Sequence, residues 1–196
     1  MPLWGATDSD ESKPKNLTTA EKKQVFANAS GWVLEAGSAL SGNDNTSATP
    51  EVLVAIGGLA TSIGAADVTD VEWITTAADK SEGFTLSVRV RYNEAVTVTG
   101  SPTVAVTNGN QGSGSGRGPH TLVYASGTGT NELVFSLAIA ANNNATNAND
   151  VLTIAAQNIA KPGGATIKDT AGTNSDSAVA ISGAQGTAAG SITVTA

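Results

Sequence analysis

FTLSVRVRY, residues 84–92, decides the fold class. Leu86, Val88, Val90 and Tyr92 fall on one side, and Thr85, Ser87, Arg89 and Arg91 on the other. A period of two with one apolar face is the pattern of a half-buried β-strand. ELVFSLAIA (132–140) repeats it through Leu133, Phe135, Leu137 and Ile139. Shorter stretches of the same kind are VTDVEWIT (68–75), AVTVTG (95–100), TVAVTN (103–108), HTLVYA (120–125), VLTIAA (151–156), ATIKD (165–169), SAVAIS (177–182) and SITVTA (191–196). NGNQGSGSGRGP, SGTGTN, NNNATNAND and KPGG separate them, and their Gly, Asn, Ser and Pro content marks turns and loops.

Many short strands in series, with no long helical pattern between them, exclude a parallel α/β arrangement. The expected fold is mainly β: an immunoglobulin-like antiparallel β-sandwich over residues 68–196, whose two sheets bury their apolar faces against each other. Composition agrees. Of the 196 residues, 4% are aromatic, 14% are charged and 22 are glycine, while an apolar share of 40% is enough for a core. The net charge of −7 repels phosphate backbones and anionic lipid, so nucleic acid and membrane are not expected partners. The chain has no cysteine, which excludes disulfides, thiol nucleophiles and cysteine-based metal sites. MPLWGATDSDESKPKNL at the start lacks a basic region followed by an apolar run, so no secretory signal is expected there. No apolar stretch reaches the ~20 residues that span a bilayer.

Residues 1–67 read differently and are expected to form an N-terminal arm and docking region. LTTAEKKQVFANA (17–29) predicts a short helix, with Thr18 as N-cap and Glu21 completing a capping box. Val25 and Phe26 would form its small apolar face. GWVLEAG (31–37) and PEVLVAIGGLA (50–60) read as strands of a possible small hairpin, although 52–56 is equally compatible with a buried helix. Trp4 is a large aromatic anchor in a polar arm, suited to docking on a partner or to folding back on its own domain. The candidate partner-docking residues are Trp4, Val25, Phe26 and Trp32.

Sites for chemistry are sparse. His120 is the single histidine and does not make a zinc site or a catalytic constellation alone. Asp8, Asp10 and Glu11 form an acidic cluster without the spacing of a calcium loop, which reads as a solvated or partner-facing tail, and Asp44 fits a turn. The Gly-rich stretch that ends near Arg117 lacks the strand–loop–helix setting of a phosphate cradle. No catalytic residue, cofactor or metal is expected.

Two resemblances extend this reading. VRVRYNEAVTVTGSPTVAVTNG, HTLVYASGTGTNELVFSLAI and DVLTIAAQNIAKPGGATIKDTAG occur in an order that resembles the bacterial immunoglobulin-like, cadherin-like repeats of large surface proteins, over residues 68–175. Those repeats often carry an Asp-rich segment where this chain has NNNATNAND, a departure that weakens any implied calcium binding. MPLWGATDSDESKPKNLTTAEKK followed by GWVLEAG resembles the opening of small virion structural proteins of T4-like phages, notably those of marine cyanobacteria. Together the resemblances imply a tailed-phage particle protein without saying head or tail; the expected role is non-enzymatic, a capsid decoration or cement protein that binds the major capsid protein or another virion protein. It would display the sandwich, as a homo-oligomer or multivalent array on the particle. The alternative they imply is a tail, neck or fibre component, or a weak host-surface adhesin.

Overall fold

The computed structural model describes residues 14, 16–28, 31–55, 65–109, 119–170 and 176–196. Within them the chain is mainly β. In chain order the elements are α1 (Thr19–Lys22), β1 (Val25–Asn28), β2 (Gly31–Leu34), β3 (Glu51–Ala55), β4 (Val68–Trp73), β5 (Ala78–Asp79), β6 (Phe84–Thr99), β7 (Thr103–Gly109), β8 (His120–Ser126), β9 (Thr130–Ile139), β10 (Val151–Thr153), β11 (Gln157–Asn158), β12 (Thr166–Asp169), β13 (Ala180–Ile181), α2 (Gly183–Ala189) and β14 (Ser191–Thr195).

The alternation in 84–92 is realised as read. Leu86, Val88, Val90 and Tyr92 are buried, as are Leu133 and Phe135 on the neighbouring β9. Nine strands form one sheet in the order β12-β6-β9-β8-β7-β10-β14-β5, with β4 on β6. The sheet curls on itself into a sandwich. The β6 and β9 side chains share a core with Val104 and Val106 of β7, Leu122 of β8, Leu152 of β10 and Ile192 and Val194 of β14. The turn of the sheet runs through β8: residues 120–123 pair with β7, while Val123, Tyr124 and Ser126 pair with β9 across a register shift. All ladders of this sheet are antiparallel except the short β14–β5 pair, which is parallel.

The sequence breaks 84–100 into two strands at Asn93, whereas β6 is continuous for 16 residues. One edge of β6 pairs first with β4, up to Tyr92, and then with β12, from Val96. Between these ladders the β6–β9 register shifts, and the alternation lapses into a run of buried residues from Val90 to Glu94. Asn93 is held there by Asp67: its backbone N–H donates to the Asp67 carbonyl at 3.0 Å, and its side-chain oxygen accepts from the Asp67 N–H at 2.8 Å. A polar side chain thus replaces the ladder bonds that the shift interrupts.

SGTGTN (126–131) is the β8–β9 turn. Gly127 and Gly129 have φ of 112° and 83°, a region that side chains other than glycine rarely enter. A Cβ on Gly127 would also run into the Glu132 carbonyl. The Thr128 N–H donates to the Tyr124 hydroxyl at 2.8 Å, and the Thr128 hydroxyl accepts from the Val98 N–H at 2.9 Å. Thr128 thus ties the turn to the neighbouring strand.

Helix α2 is not anticipated by the sequence reading. Its signal is Ser182-x-x-Gln185, a capping box in which Gln185 N–H donates to Ser182 Oγ and Ser182 N–H to Gln185 Oε1. The following GAQGTAA contains two glycines and offers almost no apolar periodicity, so the pattern is carried by the cap alone.

In the N-terminal region the capping box of Thr18 and Glu21 forms as expected, but the helix it starts is a single turn, Thr19–Lys22. Val25 and Phe26 therefore lie on strand β1, not on the apolar face of a helix. VFAN combines β-branched and aromatic residues, and its pairing with Gly31–Leu34 overrides the weak helical preference of so short a segment. EVLVA is strand β3, and β1-β2-β3 make an antiparallel three-stranded sheet. This sheet has its own core of Val25, Trp32 and Leu34, with Leu17, Leu40 and Val54 against it.

Candidate assembly site

Of the four residues expected to dock a partner, Trp4 lies outside the described residues. Val25 and Trp32 are 2% and 3% exposed and pack against each other, so their surface is already used inside the N-terminal sheet. Phe26 points to the opposite face, with Val33, and lines a cleft of about 820 Å³. The cleft separates the 36–50 loop from the outer face of β4, β6 and β9. Asp8, Asp10, Glu11 and Arg117 also lie outside the described residues, and Asp44 is exposed in the loop after β2.

A charge network that the sequence does not pair forms the floor of this cleft. Arg89 and Arg91 project from the outer face of β6, as the alternation requires, but Arg91 is 7% exposed because the N-terminal sheet covers it. Its guanidinium donates to the Lys23 carbonyl at 2.9 Å, to Glu35 at 2.8 Å and to Glu72 at 3.1 Å, and lies 2.7 Å from Glu132. Arg89 pairs with Glu72 at 3.0 Å and approaches Glu132 at 3.5 Å. Lys23 reaches Asp70 at 2.9 Å. Glu35 and Lys23 belong to the N-terminal region, and the other residues to the large sheet, so these bonds join the two parts of the chain.

The electrostatics follow from partial burial. Burial pulls the Arg91 guanidinium down, but Glu132, Glu35 and Glu72 together hold it above its ordinary value. Burial would raise Glu72, yet Arg91, Arg89 and Lys23 keep it below the usual carboxylate range. Glu132 goes the other way: burial, a hydrogen bond with Glu35 and the Glu35 charge push it up to about 7, against Arg91 and Arg89. The sequence signal for this network was limited to Arg89 and Arg91 on the polar side of a strand. Their partners depend on strand register and on where the N-terminal sheet lands, which no local pattern encodes.

His120 is 6% exposed, with Nε2 3.1 Å from the Thr146 hydroxyl and 3.5 Å from the Asn108 amide. Burial lowers its pKa against the opposing charge of Asp150. It is placed as an interior polar contact between β8 and the loop before β10. A second buried carboxyl group, Glu94, is pushed up to about 7 by burial and then by the charges of Asp169 and Asp67. Among the described residues no group of three or more His, Asp or Glu side chains is placed to hold a metal ion, and no helix is long and apolar enough to cross a membrane.

Compared with known proteins, the chain matches no family model, no curated protein and no solved structure.

Proposed function

We propose that the protein is a non-enzymatic structural component of a phage virion, a capsid decoration or cement protein. In this reading the N-terminal region binds the major capsid protein or a neighbouring virion protein, and the sandwich is displayed outward. The observation that supports it is the division of labour within the chain. A sandwich with its own core carries a second, small sheet with a separate core, joined through a polar cleft. The phage-like opening, MPLWGATD with the following KPK, precedes that small sheet. A protein of this form needs no reacting group: contact area made only in the assembled lattice stabilises the lattice by mass action. The net charge of −7 suits a soluble exterior surface. Many copies held at lattice spacing would give the multivalent array.

The test is co-sedimentation of the purified full chain with capsids of the encoding phage, prepared without it. Saturable binding that raises the temperature of capsid disruption is the expected result. A chain that stays in the supernatant, or that binds isolated tails or host cells instead, overturns the proposal.

A further inference from the structure

The joint between the N-terminal sheet and the large sheet asks one nitrogen to serve too many oxygens. Arg91 Nη1 lies 2.9 Å from the Lys23 carbonyl oxygen, 2.8 Å from Glu35 Oε2 and 2.7 Å from Glu132 Oε1. A guanidinium terminal nitrogen carries two hydrogens. The Lys23 carbonyl and Glu35 accept them, while the buried Glu132 Oε1 accepts no hydrogen bond. Two carboxyl groups from different parts of the fold are thereby crowded together: Glu35 follows β2 and Glu132 stands in β9. The charged groups facing them are Glu72 on β4 and Arg89 and Arg91 on β6, with the Lys23–Asp70 pair alongside. Three glutamates meet two arginines, so full ionisation leaves one negative charge in excess at the joint.

We propose that this joint is a proton-operated clamp: Glu132 keeps a proton and donates it in a hydrogen bond to Glu35 while the N-terminal sheet is seated on β6 and β9, and losing that proton loosens the seat. A proton on Glu132 supplies the missing donor, which Glu35 accepts, and it cancels the excess charge. Burial and the nearness of Glu35, which push Glu132 up to about 7, both depend on the seated sheet. Lifting the sheet exposes Glu132 and removes Glu35, returning the group toward the ordinary carboxylate value of 4.5. The seated state therefore binds the proton more tightly. Seating is favoured as pH falls through 7 toward 4.5. The open fraction rises with pH by up to about ten-fold per unit in that window and levels off above it.

A three-stranded sheet with so small a core has little stability once lifted, so its amides report the opening. The test is hydrogen exchange of the full chain, followed as protection factors of the Trp32, Val33 and Leu34 amides between pH 5.5 and 7.5. Protection is expected to fall at least ten-fold across that range. In Glu132→Gln the amide donates to Glu35 without titrating, so protection should stay high and flat. Protection that does not change with pH in the natural chain, or a Glu132→Gln variant that follows the natural chain, overturns the clamp. Glu35→Gln removes the same repulsion from the other side and decides the matter if Glu132→Gln does not fold.

Discussion

Val88 sits in the middle of β6 with no exposed surface, in the core formed by β6, β9 and the strands opposite. A carboxylate there would have neither water nor a cation. Val88→Asp is expected to cost more than about 3 kcal/mol, enough to unfold much of a marginally stable domain. Far-UV circular dichroism with urea titration measures it, and a midpoint unchanged from the natural chain would show the inward face to be misassigned. Glu94, also on β6, is a natural version of the same problem. It is 4% exposed, its Oε1 accepts no hydrogen bond among the described residues, and its pKa is raised to about 7. A carboxyl group whose folded pKa exceeds its unfolded value binds its proton more tightly in the fold. Stability from Glu94 is therefore greatest below about pH 4.5 and declines as pH rises toward 7. Glu94→Gln should stabilise the protein at pH 8, by an amount on the order of 3 kcal/mol at most, and change it little at pH 4.5. Urea midpoints at the two pH values check this; an equal effect at both would contradict it.

At the scale of elements, the seating of β1, β2 and β3 rests on Arg91. The side chain hydrogen-bonds Lys23 and Glu35 of the N-terminal region and Glu72 of the large sheet, and lies beside Glu132 as an ion pair. Removing it leaves Glu35 without a cation and Glu72 and Glu132 with Arg89 alone, a loss of roughly 2–4 kcal/mol for such a centre after allowance for its remaining contact with solvent. Arg91→Ala is expected to release the small sheet and spare the sandwich. Hydrogen exchange read by mass spectrometry should then show faster exchange over residues 25–55 and near-native protection over 133–139. Equal loss across both regions would mean that the chain folds as one cooperative unit.

The same elements show what the sequence could and could not reveal. Period-two alternation located β4, β6 to β9, β12 and β14, because one face of each meets the core and local spacing reports that directly. The capping box found the start of α1 but not its end, since Val25 and Phe26 are drawn into a strand by Leu34 and Val33 across the ladder. The join of two apparent strands into β6 was invisible because Asn93 and Glu94 look like a turn until Asp67 supplies the bonds of Asn93. The charge network was legible only as two arginines on the outward face. Its four carboxylates and Lys23 come from four other places in the chain, and their meeting is a property of topology.

At the scale of the whole molecule, the described residues form two bodies with separate cores and one polar joint. Under the proposed decoration role, that arrangement would separate holding from display, with the N-terminal region gripping the lattice and the sandwich setting what the particle presents. The proton-sensitive joint would let the environment tune the angle or firmness of that display without altering either core. The most direct measurement of the central claim is a cryo-electron microscopy map of the intact particle with this chain traced in it. The account expects density on the capsid exterior, with the N-terminal region against the capsid lattice and the sandwich facing solvent. Density confined to the tail, or a particle that contains no copy of the chain, would contradict it.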